Sequence, residues 1–526
     1  MHFSIPDTQE LYAERTNTTY TAYNIYINGC FHACLRYKQL HALHEQLRRR
    51  CMEMGLELPT FPPKKLLPLT NNQVEVRRAA LEHYLQSVGQ DHRIAKFDLF
   101  QNFLLTAQLE TATDILEEWF GYGNDSSEDQ NEEDFMATVT LEVVLPNNYH
   151  MRIECRISDN ATTLLKKTSE ILYLPTKMVH CFCLFLVRKE NNDALVLLRK
   201  LMDFESPFIS RLRSQPCQIQ IYKSYFNPVH DLYVMKEPVA LNILYMQTVA
   251  DVEREWIITT PEILKNLRIL QKHGLKMEYI EMARQLPLYG CLQFLSAQVD
   301  YPEPQTTALI AIGNKELSMR TMKADKIYET KFRVTRMRCW RVTAVHNTQE
   351  CKDRPYNLQL SFEYLMSKQS LRWITISSTQ AMLMSVCLQA MVDELLNYKE
   401  NEPLEAISNN ANVDFICAQT PSSSSTTSSS THTATEHNLA NTSLLSSPSS
   451  STTMSNYSSQ IVSSSSSDSP TAPVKFLTQR VLNKQNPKLS QSHTYGAVFF
   501  RNSCPQSAQE SVQNEAFDEI IGDDDL

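Results

Sequence analysis

Several kinds of protein are excluded by what the sequence lacks. No apolar run among its 526 residues approaches the ~20 residues that a membrane-spanning helix needs. The opening stretch, MHFSIPDTQE, has neither the basic nor the apolar region of a secretion signal. No stretch of domain size is strongly basic, so nucleic acid is not an expected partner. We therefore expect any contact with a membrane to be peripheral.

Catalytic and metal-binding motifs are missing as well. Gly121-Tyr122-Gly123 lacks the third glycine of a dinucleotide-binding loop, because Ser126 stands at that position. His44-Glu45 is followed by Arg48 where a zinc-binding helix carries its second histidine. With only 10 glycines and no GxSxG, Walker or kinase signature, the sequence predicts no enzyme, no catalytic residue, no cofactor and no metal site.

The 13 cysteines are scattered along the chain. The closest pair, Cys181 and Cys183, alternates with apolar side chains in CFCLFLV, which is typical of a buried strand. The pattern predicts free, buried thiols rather than metal ligands, and a reducing cytosol suits such thiols best.

The formal net charge of −9 comes almost entirely from one segment. Residues 110–134 hold ten acidic side chains and no lysine or arginine, which leaves the rest of the chain close to neutral. Like-charge repulsion and the lack of an apolar period predict an extended acidic linker over residues 109–134.

The length of the chain predicts roughly three or four compact units. Residues 1–108 indicate a small α+β unit, in which two strands meet at the hairpin dipeptide Asn28-Gly29. The helix that follows places Leu40, Leu43 and Leu47 on one face. This unit also contains a proline-rich loop and further helices before it ends near residue 108.

Three more units follow the acidic segment. Residues 135–222 begin with a hairpin that leads into a helix, as in ubiquitin-like folds, and residues 223–304 show helical spacing. In residues 305–400, strands return as FRVTRMRCWRV, YNLQLSFEYL and LRWITIS, and one long amphipathic helix closes the unit. Strands closed by such a helix are typical of a pleckstrin-like or phosphotyrosine-binding-like (PTB-like) sandwich.

The remaining residues, 401–526, read as a disordered tail. Between residues 421 and 470, 30 of 50 residues are Ser or Thr, which is too little apolar surface to offset chain entropy. Residues 475–482 form a candidate short helix. The last residues, EAFDEIIGDDDL, differ from the rest of the tail because they combine apolar side chains with an acidic end.

Cations and aromatic rings cluster near the amino end, at Arg36-Tyr37, Lys64-Lys65 and Arg77-Arg78. A guanidinium group makes bidentate, charge-assisted bonds to phosphate, each worth roughly 1.5 to 3 kcal/mol. Together these side chains can hold a phosphorylated sugar ring from three sides, which points to a lipid headgroup. Leu66 and Leu67, beside the lysines, would insert into the bilayer as a second anchor. The alternative is a solvated basic face with Tyr37 in the core.

This cluster resembles the phosphoinositide site of phox-homology (PX) domains, which use an Arg-Tyr pair, a lysine in a proline-containing loop and an arginine before the next helix. The resemblance implies that Arg36 grips the 3-phosphate and that Tyr37 stacks on the inositol ring. It also implies that Lys65 contacts the 1-phosphate side, where Lys64 shares the role, and that Arg77 bonds the ring hydroxyls.

The three later units resemble the lobes of a FERM domain. A PX domain followed by a FERM domain is the arrangement of the sorting nexin 17 group, and stretches such as LHEQLR, FPPKKL and FEYLMSK look like this family. The implied fold class is α+β multidomain: a PX domain, a FERM-like domain with ubiquitin-like, helical and PTB-like lobes, and a disordered C-terminal tail. The resemblance covers residues 1–400 and the last dozen.

In that family the third lobe captures NPxY or NxxY motifs in the cytoplasmic tails of transmembrane cargo. The peptide adds as a strand between a sheet edge and the long helix. By position, Trp340, Leu365, Val392 and Leu396 would line the groove, and the last two are one helical turn apart. For each of them alone, the alternative is an ordinary core residue.

The chain end carries a further implied site. An acidic peptide ending in leucine can be held through its carboxylate and its apolar side chains. In the family this end recruits the Retriever assembly of Commander, which assigns the contact to Phe517, Ile520, Ile521, Gly522, Asp523, Asp524, Asp525 and Leu526. A merely solubilising tail is the alternative.

Together, the resemblance implies a monomeric cargo adaptor on the cytoplasmic face of early endosomes. Its partners would be membranes that contain phosphatidylinositol 3-phosphate, receptor tails of the integrin and lipoprotein-receptor type, and Retriever. Its role would be to return cargo to the plasma membrane. The alternative is a cortical scaffold that links membrane proteins to signalling or cytoskeletal partners, but the Arg36-Tyr37 pair and the terminal Asp-Asp-Leu favour the adaptor.

Overall fold

The computed structural model describes most of the chain up to residue 399 and a short part of the tail. The described residues are 1–13, 18–65, 68–120, 135–190, 194–323, 326–346, 356–367, 370–399, 512–514, 516 and 517. The predictions for Leu66, Leu67, residues 475–482 and residues 520–526 lie outside this part of the chain.

The first domain consists of a four-stranded antiparallel sheet and four helices. Its strands are β1 Phe3–Ser4, β2 Thr8–Ala13, β3 Thr18–Ile27 and β4 Cys30–Arg36, with β3 paired to the other three. Its helices are α1 Tyr37–Met54, α2 Asn71–Gln90, α3 His92–Ala95 and α4 Asp98–Glu110. Asn28 and Gly29 both have positive φ between β3 and β4, so the predicted hairpin is confirmed. As predicted, α1 buries Leu40, Leu43 and Leu47.

The extended linker predicted for residues 109–134 is wrong at its start. Residues Thr113–Phe120 form helix α5. Leu109, Ala112 and Leu116 are buried in the core of the next domain, so apolar spacing outweighs the repulsion between the acidic residues. Residues 121–134 lie outside the described residues.

The first lobe of the second domain is a five-stranded mixed sheet with two helices. Its strands are β5 Thr138–Val144, β6 His150–Arg156, β7 Phe182–Lys189, β8 Leu195–Lys200 and β9 Gln218–Lys223, and its helices are α6 Ala161–Ile171 and α7 Pro207–Arg213. The sheet order is β6-β5-β9-β7-β8, and β5 runs parallel to β9. Cys181 and Cys183 are free and buried, as predicted. The lobe has the predicted ubiquitin-like character.

The second lobe is helical, as predicted. Its helices are α8 Asp231–Val234, α9 Pro238–Glu253, α10 Pro261–Lys272 and α11 Lys276–Ala283. Ile243 and Leu244 on α9 pack into the core of the first lobe, whereas Val252, Leu267 and Tyr279 form a separate small core. The helix α9 therefore connects the two lobes.

The third lobe is a sheet closed by one long helix. Its strands are β10 Leu292–Gln293, β11 Ala297–Val299, β12 Thr306–Gly313, β13 Glu316–Lys323, β14 Lys326–Arg333, β15 Met337–His346, β16 Tyr356–Ser367 and β17 Ser370–Ser377, and α12 spans Ala381–Lys399. As predicted, α12 buries Met384, Leu388 and Met391. The stretch FRVTRMRCWRV is not one strand, because the 3-10 turn Val334–Arg336 separates β14 from β15.

A ninth strand of this sheet comes from the tail. Residues Val512–Gln513 form β18, which pairs antiparallel with β15. The prediction of disorder over residues 401–526 is therefore wrong at this point. The local composition that predicts disorder carries no information about a pairing partner more than a hundred residues away.

The first domain and the first lobe share a buried interface. Phe204, which follows β8, is 3% exposed and packs in the core of the first domain, where its ring meets that of His32 edge-on at 5.6 Å. The Gln108 side chain accepts from the Ser206 N–H at 2.8 Å and donates to the Ser210 hydroxyl at 3.0 Å. Because these buried polar groups are satisfied across the boundary, the two domains are held together.

Candidate lipid-binding and peptide-binding sites

Arg36 and Tyr37 lie where β4 ends and α1 begins. The Arg36 N–H donates to Gln39 Oε1 at 2.9 Å, which fixes the first turn of the helix. The Arg36 side chain is exposed, and its guanidinium lies 3.3 Å from the centroid of the Tyr20 ring. Its charge is therefore held at the surface by an aromatic face.

The proline-rich loop is fastened between α1 and α2. The Tyr37 hydroxyl donates to the Pro62 carbonyl at 2.8 Å, and Arg77 Nη2 donates to the Pro63 carbonyl at 3.4 Å. The Arg77 guanidinium also lies 4.3 Å from the centroid of the Tyr37 ring. The structure thus brings Tyr37, Arg77 and the loop that carries Lys64 together.

Lys64 and Lys65 are exposed on this loop, and within the described part of the chain neither forms an ion pair with a carboxylate. Below them, Phe61 stacks on His44 at 4.8 Å and meets Tyr84 at 4.9 Å. The loop is therefore anchored by aromatic packing while its two ammonium groups remain available to an anion.

The two adjacent arginines of α2 have different roles. Arg78 is 2% exposed and pairs with Glu75 at 3.0 Å and Glu82 at 3.1 Å, so its charge is used inside the domain.

Burial raises the pKa of Tyr37, and the positive charge of Arg77 partly offsets this rise. The phenol therefore stays neutral at physiological pH and continues to donate to the loop.

The second site is the edge of β15, where part of the tail is bound. We call residues 512–514, 516 and 517 the docked segment. In β18, Val512 pairs with Trp340 and Gln513 pairs with Cys339. The Asn514 N–H continues the ladder by donating to the Arg338 carbonyl at 3.1 Å. Main-chain pairing of this kind holds a peptide without depending on its side chains.

The Asn514 side chain is the part of the docked segment that forms the most hydrogen bonds with the groove described here. Asn514 is 3% exposed, and its Nδ2 donates to the carbonyls of Val334 at 2.9 Å and Met337 at 2.7 Å. Its Oδ1 accepts from the Ala516 N–H at 3.0 Å, and its carbonyl accepts from the Phe517 N–H at 3.0 Å. The 3-10 turn that interrupts the predicted strand therefore forms a slot for an asparagine that starts a tight turn.

The four residues predicted to line the groove lie in different surroundings. Trp340 is fully buried, and its Nε1 donates to Ser385 Oγ at 3.0 Å, so β18 contacts its main chain while its ring joins β15 to α12. Val392 is 1% exposed in the core. Leu396 is half-buried and packs against the same core cluster as Val512. Leu365 is half-buried on β16 and pairs with Leu371 of β17.

Sequence reasoning missed the asparagine slot and the segment that fills it. The slot is formed by the backbone carbonyls of Val334 and Met337, and a sequence does not show where backbone carbonyls will point. A signal was nevertheless present, since Asn514-Glu515-Ala516-Phe517 repeats the spacing of an Asn-x-x-aromatic motif.

Two arginines belong to the backbone that forms the slot. Arg338 forms an ion pair with Glu363, and the Arg336 guanidinium lies 5.3 Å from the centroid of the Tyr364 ring. Burial raises the pKa of Tyr364, so the ring stays neutral beneath this cation.

In the part of the chain that the structure describes, no helix has the length and apolar character needed to cross a bilayer. The described residues also contain no group of three or more His, Cys, Asp or Glu that could hold a metal ion.

Four family models match the chain in order. They are a PX domain over residues 23–107, the F1 lobe of the sorting nexin 17/27/31 FERM domain over 139–226, the F2 lobe of the sorting nexin 17/31 FERM domain over 227–287, and the sorting nexin 17 FERM C-terminal domain over 290–396. A PX domain binds phosphoinositides and a FERM domain binds protein partners.

Curated relatives match over the same region. Sorting nexin-17 of Homo sapiens is 42% identical over 407 residues, which cover 75% of this chain and 82% of that protein. Sorting nexin-17 of Danio rerio is 38% identical over 408 residues, covering 75% and 81%. Sorting nexin-31 of Homo sapiens is 33% identical over 403 residues, covering 75% and 86%.

Among solved structures, the Dictyostelium discoideum myosin VII MyTH4-FERM MF2 domain matches with a TM-score of 0.34 and 11% identity, over 68% of this chain and 88% of that one. Sorting nexin-17 and its PX and FERM domains belong to non-enzymatic adaptor families, which confirms the prediction that the chain is not an enzyme. On the identity to sorting nexin-17 and the four matched domains, the chain belongs to the PX-FERM sorting nexins, the family of sorting nexins 17, 27 and 31.

Proposed function

We propose that the chain is an endosomal sorting adaptor. Its PX domain binds phosphatidylinositol 3-phosphate, and the third FERM lobe binds NPxY or NxxY motifs in the cytoplasmic tails of transmembrane cargo. The observation that carries this proposal is the docked segment, which places an Asn-x-x-Phe sequence in a slot at the edge of β15.

The lipid half of the proposal is supported by the cluster around Tyr37. A phosphorylated inositol ring beside Tyr37 would meet Arg77, which lies over the Tyr37 ring, Arg36 at the end of β4 and Lys65 on the fastened loop. Each charge-assisted bond to phosphate is worth roughly 1.5 to 3 kcal/mol net, so a few of them suffice for recruitment to a membrane surface. Lys64 lies beside Lys65 and would add to the same attraction.

The cargo half of the proposal is supported by the form of the groove. A cargo tail would add its main chain to β15, place its asparagine against the carbonyls of Val334 and Met337, and turn back as Ala516 and Phe517 do. Integrin and lipoprotein-receptor tails are the expected class, by resemblance to the family. Val392 and Leu396 on α12 would set the apolar side of the groove.

The tail and a cargo peptide cannot occupy one edge of β15 together. Cargo binding would therefore release the docked segment, whose last residue, Phe517, is the first residue of the proposed Retriever contact. In this way the binding of cargo would free a residue of the proposed Retriever contact. Both contacts are also concentrated at the membrane, where lipid and cargo bound together exceed either alone.

Two measurements on the full chain test the proposal. Flotation with vesicles of phosphatidylcholine, with and without phosphatidylinositol 3-phosphate, should show binding only when the phosphoinositide is present. Calorimetry with an NPxY peptide should show binding that is lost when the peptide asparagine is replaced by alanine.

Equal flotation with both kinds of vesicle would remove the lipid half of the proposal. Equal affinity for the two peptides would remove the cargo half. If peptide binding survives and phosphoinositide binding does not, the cortical scaffold becomes the better account.

A further inference from the structure

One long edge of the third-lobe sheet is open. The sheet runs in the order β14-β13-β12-β11-β17-β16-β15-β18, so within the described residues β14 pairs only with β13. Its eight residues all pair in register with β13, and no bulge interrupts them. A long edge strand without proline or a bulge is a template for pairing with another chain. The opposite edge, at β15, already holds the docked segment.

Main-chain groups of β14 face this open side at every second residue. The Val334 N–H, just after the strand, donates to the Lys315 carbonyl at 2.9 Å, so even-numbered positions bond toward β13. The Arg333 N–H, in the other phase, donates to the Tyr364 hydroxyl at 3.3 Å. The earlier positions in the phase of Arg333 therefore direct their N–H and C=O groups away from β13. These positions are Ile327, Glu329 and Lys331.

The side chains along this edge are accessible. Ile327 is 67% exposed and Tyr328 is 52% exposed. Glu329 and Lys331, which lie on the same face of the strand, are both exposed although each has a contact on β13. The edge therefore presents apolar surface and one charge of each sign to an incoming strand.

Twofold symmetry restricts how a second copy could pair with this edge. Outward positions must face outward positions, so the symmetry axis passes through a residue of the strand. An axis at Glu329 or at Lys331 would set two like charges directly opposite each other, which is destabilising. An axis at Thr330 instead sets Glu329 of one copy opposite Lys331 of the other, and it does so twice. The charges of β14 are therefore complementary to those of its own copy in this register.

We infer that β14 is a self-association surface, on which a second copy of this chain adds its own β14 antiparallel about an axis at Thr330. Each Glu329–Lys331 pair would exchange two main-chain hydrogen bonds and join opposite charges. The same register places Tyr328 of one copy opposite Phe332 of the other. The chain would then not always be the monomer that the family resemblance implies.

The size of the contact sets the strength of this association. A single pair of strands buries less surface than a stable dimer needs, so in solution we expect a weak, reversible dimer. Two copies that are held on one membrane have a higher effective concentration, which favours pairing there.

The test is sedimentation of the full chain from micromolar to near-millimolar concentration. Glu329→Lys sets lysines opposite each other in the dimer, and Lys331→Glu sets glutamates opposite each other. When the two variants are mixed, lysines of one copy face glutamates of the other. The matched control carries Glu262→Lys or Lys272→Glu on exposed positions of α10, which makes the same charge reversals on another lobe. Thermal unfolding checks that every variant is folded.

We expect the parent and both controls to form the same reversible dimer. Each reversal on β14 should weaken it by about tenfold or more, because two attractive pairs become repulsive. An equal mixture of Glu329→Lys and Lys331→Glu should recover an affinity close to that of the parent. This recovery is the decisive result, since damage to the fold of either variant would not be repaired by mixing.

The inference is overturned if the parent stays monomeric over the whole range, if either reversal on β14 dimerises as well as the parent, or if the mixture associates no more tightly than the single variants. A dimer that ignores both reversals would be formed by another surface and also contradicts it. These outcomes leave the PX site and the peptide groove untouched, because β14 contributes no residue to either.

Discussion

The substitution Asn514→Ala tests how firmly the tail occupies the peptide groove. Asn514 is 3% exposed and donates to the carbonyls of Val334 and Met337, at 2.9 Å and 2.7 Å. It also accepts from the Ala516 N–H at 3.0 Å. Alanine removes all three hydrogen bonds but leaves the main-chain pairing of β18 with β15 unchanged.

The size of the effect follows from these bonds. At about 1 kcal/mol net for each, the docked segment loses about 2 to 3 kcal/mol. This loss lowers the docking constant of the tail by roughly 30- to 150-fold. If the groove is empty in only about 1% of chains, cargo binds the intact chain about 100-fold more weakly than an open groove. With Asn514→Ala, cargo should bind only about two- to fourfold more weakly than it binds an open groove.

The assay is calorimetry with an NPxY peptide on the full chain, on Asn514→Ala, and on a chain that ends at residue 511. We expect the variant to bind almost as tightly as the shortened chain and the parent to bind most weakly. Asn502→Ala, earlier in the same tail, is the matched control and should behave like the parent. Equal affinity for all four chains, or weaker binding by Asn514→Ala, would refute the view that the tail competes with cargo.

Three further predictions concern single side chains. Arg36→Gln should abolish flotation with phosphatidylinositol 3-phosphate vesicles while leaving NPxY calorimetry unchanged, and flotation that persists would count against the lipid site. Trp340→Ala should lower the free energy of unfolding by about 3 to 5 kcal/mol, because its ring is fully buried, and should also weaken the NPxY peptide; unchanged unfolding and affinity would contradict this role. Burial lowers the pKa of His32 from its ordinary 6.5 to about 4, so the unfolded chain binds a proton that the folded chain excludes. Stability should therefore fall as pH drops from 6.5 toward 4, by about 1.4 kcal/mol per pH unit from this residue, and denaturant titrations of His32→Gln should show a shallower dependence.

Much of the fold could be predicted because its signals are local. The dipeptide Asn28-Gly29 specifies its own turn, and the spacing of apolar residues in Ala381–Lys399 specifies the helix that closes the third lobe. Tyr37 and Arg77 lie near one another in the structure because a helix start and a fastened loop meet there.

The features that could not be predicted depend on distant contacts. Helix α5 is stabilised by packing Leu116 into a core that lies later in the chain, and acidic neighbours conceal its apolar face in the sequence. The docking of Asn514 depends on carbonyls at the turn Val334–Arg336, which lies 180 residues earlier in the chain. Arg78 differs from Arg77 only by its helical phase, which turns it toward Glu82 and the interior.

The central claim is that one chain binds a 3-phosphoinositide membrane and an NxxY cargo tail at the same time. The most direct measurement titrates the full chain onto vesicles that carry phosphatidylinositol 3-phosphate, a membrane-anchored NPxY peptide, or both. The account predicts that vesicles with both ligands bind at least about 100-fold more tightly than vesicles with either one. Vesicles with both ligands that bind no more tightly than those with the lipid alone would contradict it.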